Sequence, residues 1–89
     1  MNQMKYCYLR DFRIQFRISA QELARVSGFS QQRLSEIELM QRGYAPNEDT
    51  RQKIVLGIEK IIESRERSLT RLKNRYEKDK DHLFDLKTV

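Results

Sequence analysis

Apolar residues recur along this chain at intervals of three and four positions, which is the period of an amphipathic α-helix. Residues that cap helices divide the pattern into segments. A first helix is predicted from Gln3 or Met4 to about Arg17, a second from the cap Ser19 to about Ser27, a third from the cap Ser30, and a fourth from the cap Asn47. The predicted fold class is all-α.

The second and third helices are the most informative stretch. Ser19 and Glu22 form an S-x-x-E capping box, and Gly28 supplies the permissive backbone of a tight turn. In the third helix the spacing points Leu34 and Ile37 inward. It leaves polar residues outward near the start of that helix: Gln31, Gln32, Arg33 and Ser35. A short helix, a glycine turn and a helix with a polar start are typical of a DNA-reading helix-turn-helix.

At these residues the chain resembles the lambda/434 repressor and Cro class of helix-turn-helix, the XRE-type group of bacterial regulators. The likeness rests on Leu9-Arg10-Asp11-Phe12-Arg13, on Glu22-Leu23-Ala24, and on Ser30-Gln31-Gln32-Arg33-Leu34-Ser35-Glu36-Ile37-Glu38, closest to the 434 type with its paired glutamines. It covers roughly Leu9 to Ile62. It implies a lambda-repressor-like helix-turn-helix domain over residues 1–62. Residues 63–89 lie beyond the resemblance and are predicted, from their own pattern, to be a C-terminal helical extension.

The resemblance also assigns roles to individual side chains. Gln31 and Gln32 would read a base and brace a phosphate, although ordinary exposed helix residues are the alternative. The other residues expected at double-stranded DNA are Ser19, Ser30, Arg33, Ser35, Glu36, Arg42 and Tyr44. Arg17 stands where glycine is common in the family and would add a charged contact to the DNA. For Arg42 and Tyr44 a bare solvent loop is equally expected. Arg13 and Glu38 would form a structural ion pair between the first and third helices.

Two segments depart from the family pattern. Leu39 and Met40 replace the usual helix-stopping pair, so the third helix is predicted to continue to Gln41 or Arg42, with Gly43 as its terminator. In the fourth helix Gly57 permits close packing. Its buried face is predicted to be Ile54, Val55, Ile58, Ile61 and Ile62.

No stop signal follows, and a heptad-like apolar pattern continues beyond the family resemblance. It predicts a long helix over residues 63–85 that dimerises the protein, in parallel or antiparallel orientation. The proposed contacts are Leu69, Leu72, Tyr76 and Leu83. The alternatives are a lone charged helix that folds back on its own domain, or one that frays in solvent.

Composition narrows the function classes. A formal net charge of +5 is compatible with a nucleic-acid partner. The single cysteine, Cys7, suits a reducing compartment, and no apolar run approaches a membrane span. The isolated His82 and Cys7 give no catalytic or metal-binding cluster, so no enzyme activity and no cofactor are expected.

Together with the composition, the family resemblance implies a cytoplasmic, bacterial or phage-derived DNA-binding transcriptional regulator, nucleoid-associated when bound. It would act as a repressor and bind a near-palindromic operator as a homodimer. The alternative is an antitoxin-like or adaptor protein that acts on a protein partner through residues 63–85.

Overall fold

The computed structural model of the chain describes residues 6–40 and 46–87. Four α-helices follow in order: Tyr8–Gln15 (α1), Ala20–Ser27 (α2), Gln31–Leu39 (α3) and Glu48–Asp79 (α4), and a 3-10 turn at Lys80–His82 ends the helical part. The described residues contain no β-strand. The all-α prediction is confirmed at this level.

Three of the helices begin where the sequence predicts, because polar side chains satisfy their first free amides. The Ser19 hydroxyl accepts a hydrogen bond of 3.0 Å from the amide of Glu22, and the Ser30 hydroxyl accepts one of 3.0 Å from the amide of Arg33. The Asn47 side chain does the same for Thr50 at 2.8 Å. Each bond occupies one of the donors that a helix start leaves unpaired.

Three predicted helix ends are wrong, those of α1, α3 and α4. The predicted start of α1 near Gln3 or Met4 lies outside the described residues, and the helix begins at Tyr8 after an extended Cys7. It ends at Gln15, before Arg17, which has a left-handed backbone with φ 54°. The third helix lacks the predicted extra turn: α3 ends at Leu39, because Met40 adopts φ 52° and donates its amide back to the carbonyls of the last turn.

The core lies where α2, α3 and the first half of α4 meet. Its buried apolar side chains are Ile18, Leu23, Ala24, Leu34, Ile37, Ile54 and Ile61. Phe29 and Ile58 pack at its margin. Gly57 of α4 lies against Ser27 of α2, and a β-carbon there would be 3.2 Å from the Val26 Cγ2 atom and shorter still from the Ser27 hydroxyl oxygen. The close helix–helix approach predicted at Gly57 is confirmed.

The fourth helix is longer than the core that it helps to form. It runs without a break across positions 62 and 63, so the molecule measures 59 × 30 × 21 Å along its principal axes. The α-helix ends at Asp79, six residues before the predicted end. Val55 and Ile62 were predicted to be buried and are instead 51% and 47% exposed. Ile62 borders an open space between α4 and α1, and Val55 borders a second open space that Leu9 and Ile37 also line.

Candidate nucleic-acid interface

The third helix presents a polar surface that the core holds in place. Leu34 and Ile37 are 0% and 6% exposed and attach one side of α3 to the core. Gln31, Gln32 and Ser35 lie on the other side and are exposed. Three polar side chains that have no partner among the described residues therefore lie on the first one and a half turns of a helix whose orientation is fixed by buried contacts.

The turn before α3 is short because Gly28 closes α2. Gly28 has φ 82° and donates its amide back to the carbonyls of Ala24 and Arg25. That left-handed conformation is open to glycine without steric cost. The Phe29 amide then bonds to the Ala24 carbonyl at 2.9 Å, which leads the chain directly to the Ser30 cap.

Arg33 and Glu36 are less available than the glutamines. Both are partly buried, and the Arg33 Nη1 atom lies 3.5 Å from the Glu36 Oε2 atom, one helical turn away. The pair reduces the positive potential of Arg33. Any contact of Arg33 with a phosphate or base would require this guanidinium to change partner or to bind while still beside Glu36.

Three further predicted residues, Arg17, Ser19 and Ser30, lie at the starts of α2 and α3. Ser19 and Ser30 are exposed and cap these helices, so the remaining free amides of each first turn point outward with the positive end of the helix dipole. Arg17 is exposed two residues before the Ser19 cap. Such helix starts are suited to anionic groups.

The remaining predicted residues lie elsewhere. Arg42 and Tyr44 lie outside the described residues. The apolar residues assigned to dimerisation, Leu69, Leu72, Tyr76 and Leu83, are all more than half exposed on or just beyond the last part of α4. They are not brought together with the polar surface of α3.

The predicted ion pair between Arg13 and Glu38 is present and holds three elements together. The Arg13 Nε and Nη2 atoms donate to the two carboxylate oxygens of Glu38 at 2.8 and 3.0 Å, and Nη1 donates to the Ile18 carbonyl at 3.1 Å. The hydrogen bond from Arg13 to Glu38 and the charge of that carboxylate raise the pKa of Arg13, against the opposing effect of burial. The pair links α1, the start of α2 and the end of α3.

One contact, made by Arg65, was not predicted from the sequence. Arg65 of α4 interrupts the apolar heptad pattern, and its guanidinium donates to the carbonyls of Phe16 and Arg17 at 2.6 and 3.0 Å. Phe16 and Arg17 follow the last residue of α1, and carbonyl groups at a helix end have no hydrogen-bond partner within the helix. A basic residue in an apolar heptad position was the available signal, but its partners are 49 and 48 positions away in sequence.

Comparisons of the chain with known protein families, with curated proteins and with solved structures gave no match. Within residues 6–40 and 46–87, no helix is both long and apolar enough to cross a membrane. The same residues contain no group of three or more histidine, cysteine or acidic side chains arranged to hold a metal ion.

Proposed function

We propose that this protein is a sequence-specific, double-stranded DNA-binding transcriptional regulator of the lambda/434 repressor type. It acts as a repressor and occupies a near-palindromic operator as a dimer. In this proposal α2, the Gly28 turn and α3 are a helix-turn-helix, and α3 enters the major groove.

The observation that carries the proposal is the two-sided character of α3. Leu34 and Ile37 are buried, while Gln31, Gln32 and Ser35 are exposed at the start of the same helix. The major groove admits one α-helix, and side chains near the helix start reach base edges. An adenine offers N6 and N7 to the amide of a glutamine, and such a bidentate contact contributes about 1–3 kcal/mol of discrimination.

The surrounding residues have positioning roles in this proposal. The free amides at the Ser19 and Ser30 caps bind phosphates, and Arg17 adds a positive charge beside the first of them. Arg33 contacts a guanine or a phosphate after leaving Glu36. The carboxylate of Glu36 favours a cytosine amino group in the groove and weakens binding to unrelated sequences. Arg42 and Tyr44 remain proposed phosphate contacts.

Selection of binding sites from random duplex DNA tests the proposal directly. The wild-type chain is expected to select a near-palindrome with half-sites about one helical turn apart. The double variant Gln31→Ala/Gln32→Ala is expected to bind the selected site at least tenfold more weakly and to retain its binding to random DNA. Asn74→Ala removes an exposed amide from the last part of α4 and serves as the matched control, with no expected effect.

The salt dependence of affinity separates sequence reading from charge attraction. Binding that is weak, steeply salt-dependent and unchanged in Gln31→Ala/Gln32→Ala would contradict the proposal, because counterion release alone accounts for such binding. Melting of each variant is measured in parallel. Both glutamines are exposed, so their replacement is expected to leave the melting temperature unchanged.

A second candidate function is an antitoxin-like or adaptor role in which residues 63–85 bind a protein partner. It is supported by Leu69, Leu72 and Tyr76, which are 55%, 64% and 51% exposed on α4. In that case Leu69→Ser/Leu72→Ser would abolish function while Gln31→Ala/Gln32→Ala would leave it intact. For the DNA-binding regulator, by contrast, Gln31→Ala/Gln32→Ala is expected to abolish function.

A further inference from the structure

A groove with apolar walls runs between α1 and α4, and we call it the α1–α4 groove. Its walls are Phe12, Phe16, Ile18, Ile58, Ile61 and Ile62, with Arg65 at one end. The rings of Phe12 and Phe16 lie 4.9 Å apart, and Phe16 and Ile62 are about half exposed. Apolar walls that remain open to water favour an apolar occupant.

A second apolar surface lies at the opposite end of α4. Leu69, Leu72 and Tyr76 form a stripe on the distal segment of α4 (residues 66–79), and this stripe continues the spacing of Ile58 and Ile62. Beyond the helix follow three more exposed apolar side chains, Leu83, Phe84 and Leu86, at 55%, 94% and 99% exposure.

The chain cannot place these last residues in its own groove. Ile62 and Asp79 lie on one continuous helix, and the 17 residue steps from one to the other correspond to about 26 Å along its axis. Leu86 follows the 3-10 turn at His82 by four residues, which span at most about 14 Å even when fully extended. Leu83, Phe84 and Leu86 can therefore enter an α1–α4 groove only on another copy of the chain.

We propose that the occupant is a second copy of this chain, paired through α4 in antiparallel orientation. The two helices cross at the layer of Leu69 and Leu72, so that Leu69 packs on Leu72 of the partner subunit. The same alignment places Leu83 of the partner subunit opposite Ile58, at the α1–α4 groove. Each groove then receives the apolar tail of the other copy. This inference deepens the proposed function, since it specifies how the regulator dimerises.

The distribution of charge along the stripe favours this orientation. Glu59, Glu66, Lys73 and Lys80 recur every seven residues and so follow one edge of the stripe, acidic in the first half and basic in the second. Glu66 and Lys73 have no ion-pair partner among the described residues. In an antiparallel pair this edge of one helix lies against the same edge of the other helix. Glu66 then faces Lys73 of the partner subunit, and Glu59 faces Lys80 of the partner subunit.

A parallel pair would place like charges together. Arg65 would face Arg65 of the partner subunit across the seam, and Asp79 would face Asp79 of the partner subunit. At the edge, Lys80 would meet Arg75 of the partner subunit. The antiparallel alignment instead brings Arg65 beside an aromatic ring, Tyr76 of the partner subunit. Asp79 then lies opposite Ile62 of the partner subunit and keeps its 2.6 Å bond to Arg75 of its own helix.

The antiparallel pair also sets how far apart the two core domains lie along α4. Ile58 lies opposite Leu83 of the partner subunit, which is 25 residue steps from that subunit's own Ile58. The two Ile58 residues are therefore about 38 Å apart along the helix axis. Half-sites one turn of DNA apart are separated by about 34–36 Å. The separation of the two core domains along α4 is therefore of the same order as one turn of DNA.

Charge reversal tests the orientation in the full-length chain. Glu66→Lys and Lys73→Glu are each expected to raise the dimer dissociation constant by about tenfold, because two symmetry-related pairs become repulsive. The double variant Glu66→Lys/Lys73→Glu is expected to restore wild-type association in sedimentation equilibrium. Glu63→Lys and Lys78→Glu change the net charge equally at outer positions of α4 and are expected to have little effect.

Distances between spin labels give a second, independent measurement. In a Cys7→Ser background, labels at Lys78→Cys are expected about 22 Å apart and labels at Lys60→Cys about 32 Å apart along the axis. Equal, short distances at both sites would overturn the antiparallel arrangement. Phe84→Ser/Leu86→Ser is expected to weaken the dimer, while Lys87→Ser is not. An unchanged dimer dissociation constant in Phe84→Ser/Leu86→Ser would overturn the role of the α1–α4 groove.

Each outcome separates this inference from the proposed function. A monomer, or a parallel dimer, that still selects a DNA site in a glutamine-dependent way overturns the inference alone. An antiparallel dimer that selects no site leaves the inference standing and contradicts the DNA-binding proposal.

Discussion

The guanidinium of Arg13 donates to both carboxylate oxygens of Glu38, at 2.8 and 3.0 Å, and the two side chains are only 14% and 4% exposed. The same guanidinium bonds to the Ile18 carbonyl. The Cys7 amide donates to the Glu38 carbonyl at 2.8 Å, so the end of α3 is tied to α1 twice. The proposed recognition helix is therefore held at its far end, while its exposed start is left free to bind.

Breaking this ion pair on one side should be among the most damaging changes in the chain. Arg13→Ala leaves the Glu38 carboxylate buried without its partner, and we expect a loss of about 3–5 kcal/mol in the free energy of unfolding. Denaturant unfolding measures it. Arg10→Ala on the same helix is exposed and serves as the control, with an expected change within about 0.5 kcal/mol. A small loss in Arg13→Ala would mean that the pair is effectively solvated.

Gly57 and Ser27 give a prediction about close packing. Alanine has the higher helix propensity, yet Gly57→Ala should destabilise the protein by about 1–3 kcal/mol, because its β-carbon would collide with the Ser27 hydroxyl. That hydroxyl is buried and has no hydrogen-bond partner among the described residues. Ser27→Ala alone should therefore be neutral or slightly stabilising.

The double variant Ser27→Ala/Gly57→Ala checks the same contact. It should recover part of the loss, since the closest collision is removed but a β-carbon at position 57 would still lie 3.2 Å from the Val26 Cγ2 atom and 3.3 Å from the Ser27 α-carbon. A double-mutant cycle measures the coupling energy between the two positions. Simple additivity of the two single changes would contradict this explanation.

Arg65 should stabilise the end of α1 from across the molecule. Arg65→Ala removes two hydrogen bonds to the Phe16 and Arg17 carbonyls, and we expect a loss of about 1 kcal/mol because the donor is exposed and screened by water. Arg67, two positions along the same helix, makes no such hydrogen bond to the residues that the structure describes, so Arg67→Ala is the control. Equal stability of the two variants, measured by thermal unfolding, would show that Arg65 does not hold α1.

The helix starts could be predicted from the sequence because their causes are local. Ser19, Ser30 and Asn47 each bond to an amide three residues ahead, and Gly28 signals its own left-handed backbone. The all-helical architecture and the buried positions Leu34 and Ile37 follow from a period that one helix encodes alone. The Arg13–Glu38 pair was predicted through a family resemblance that the comparisons neither support nor contradict.

The errors have tertiary causes. Nothing in the local sequence signals that Met40 would adopt a left-handed backbone, because a methionine there has no intrinsic preference for it. Likewise, apolar spacing marks Val55 and Ile62 as part of one helix face but does not state how far a neighbouring helix covers that face. Arg65 has partners 48 and 49 positions away, beyond the reach of any local pattern.

The distal segment of α4 should show stability that depends on protein concentration. Residues 66–79 are exposed along their whole length except for Asp79, which is partly buried, and a solitary helix of this length is marginal in water. In the monomer their amides should therefore exchange with deuterium much faster than those of residues 54–61, which contact the core. Dimerisation through Leu69 and Leu72 would slow exchange as concentration rises, and Leu69→Ser/Leu72→Ser should abolish that dependence. Protection in the distal segment that is the same at every concentration would contradict a dimerising helix.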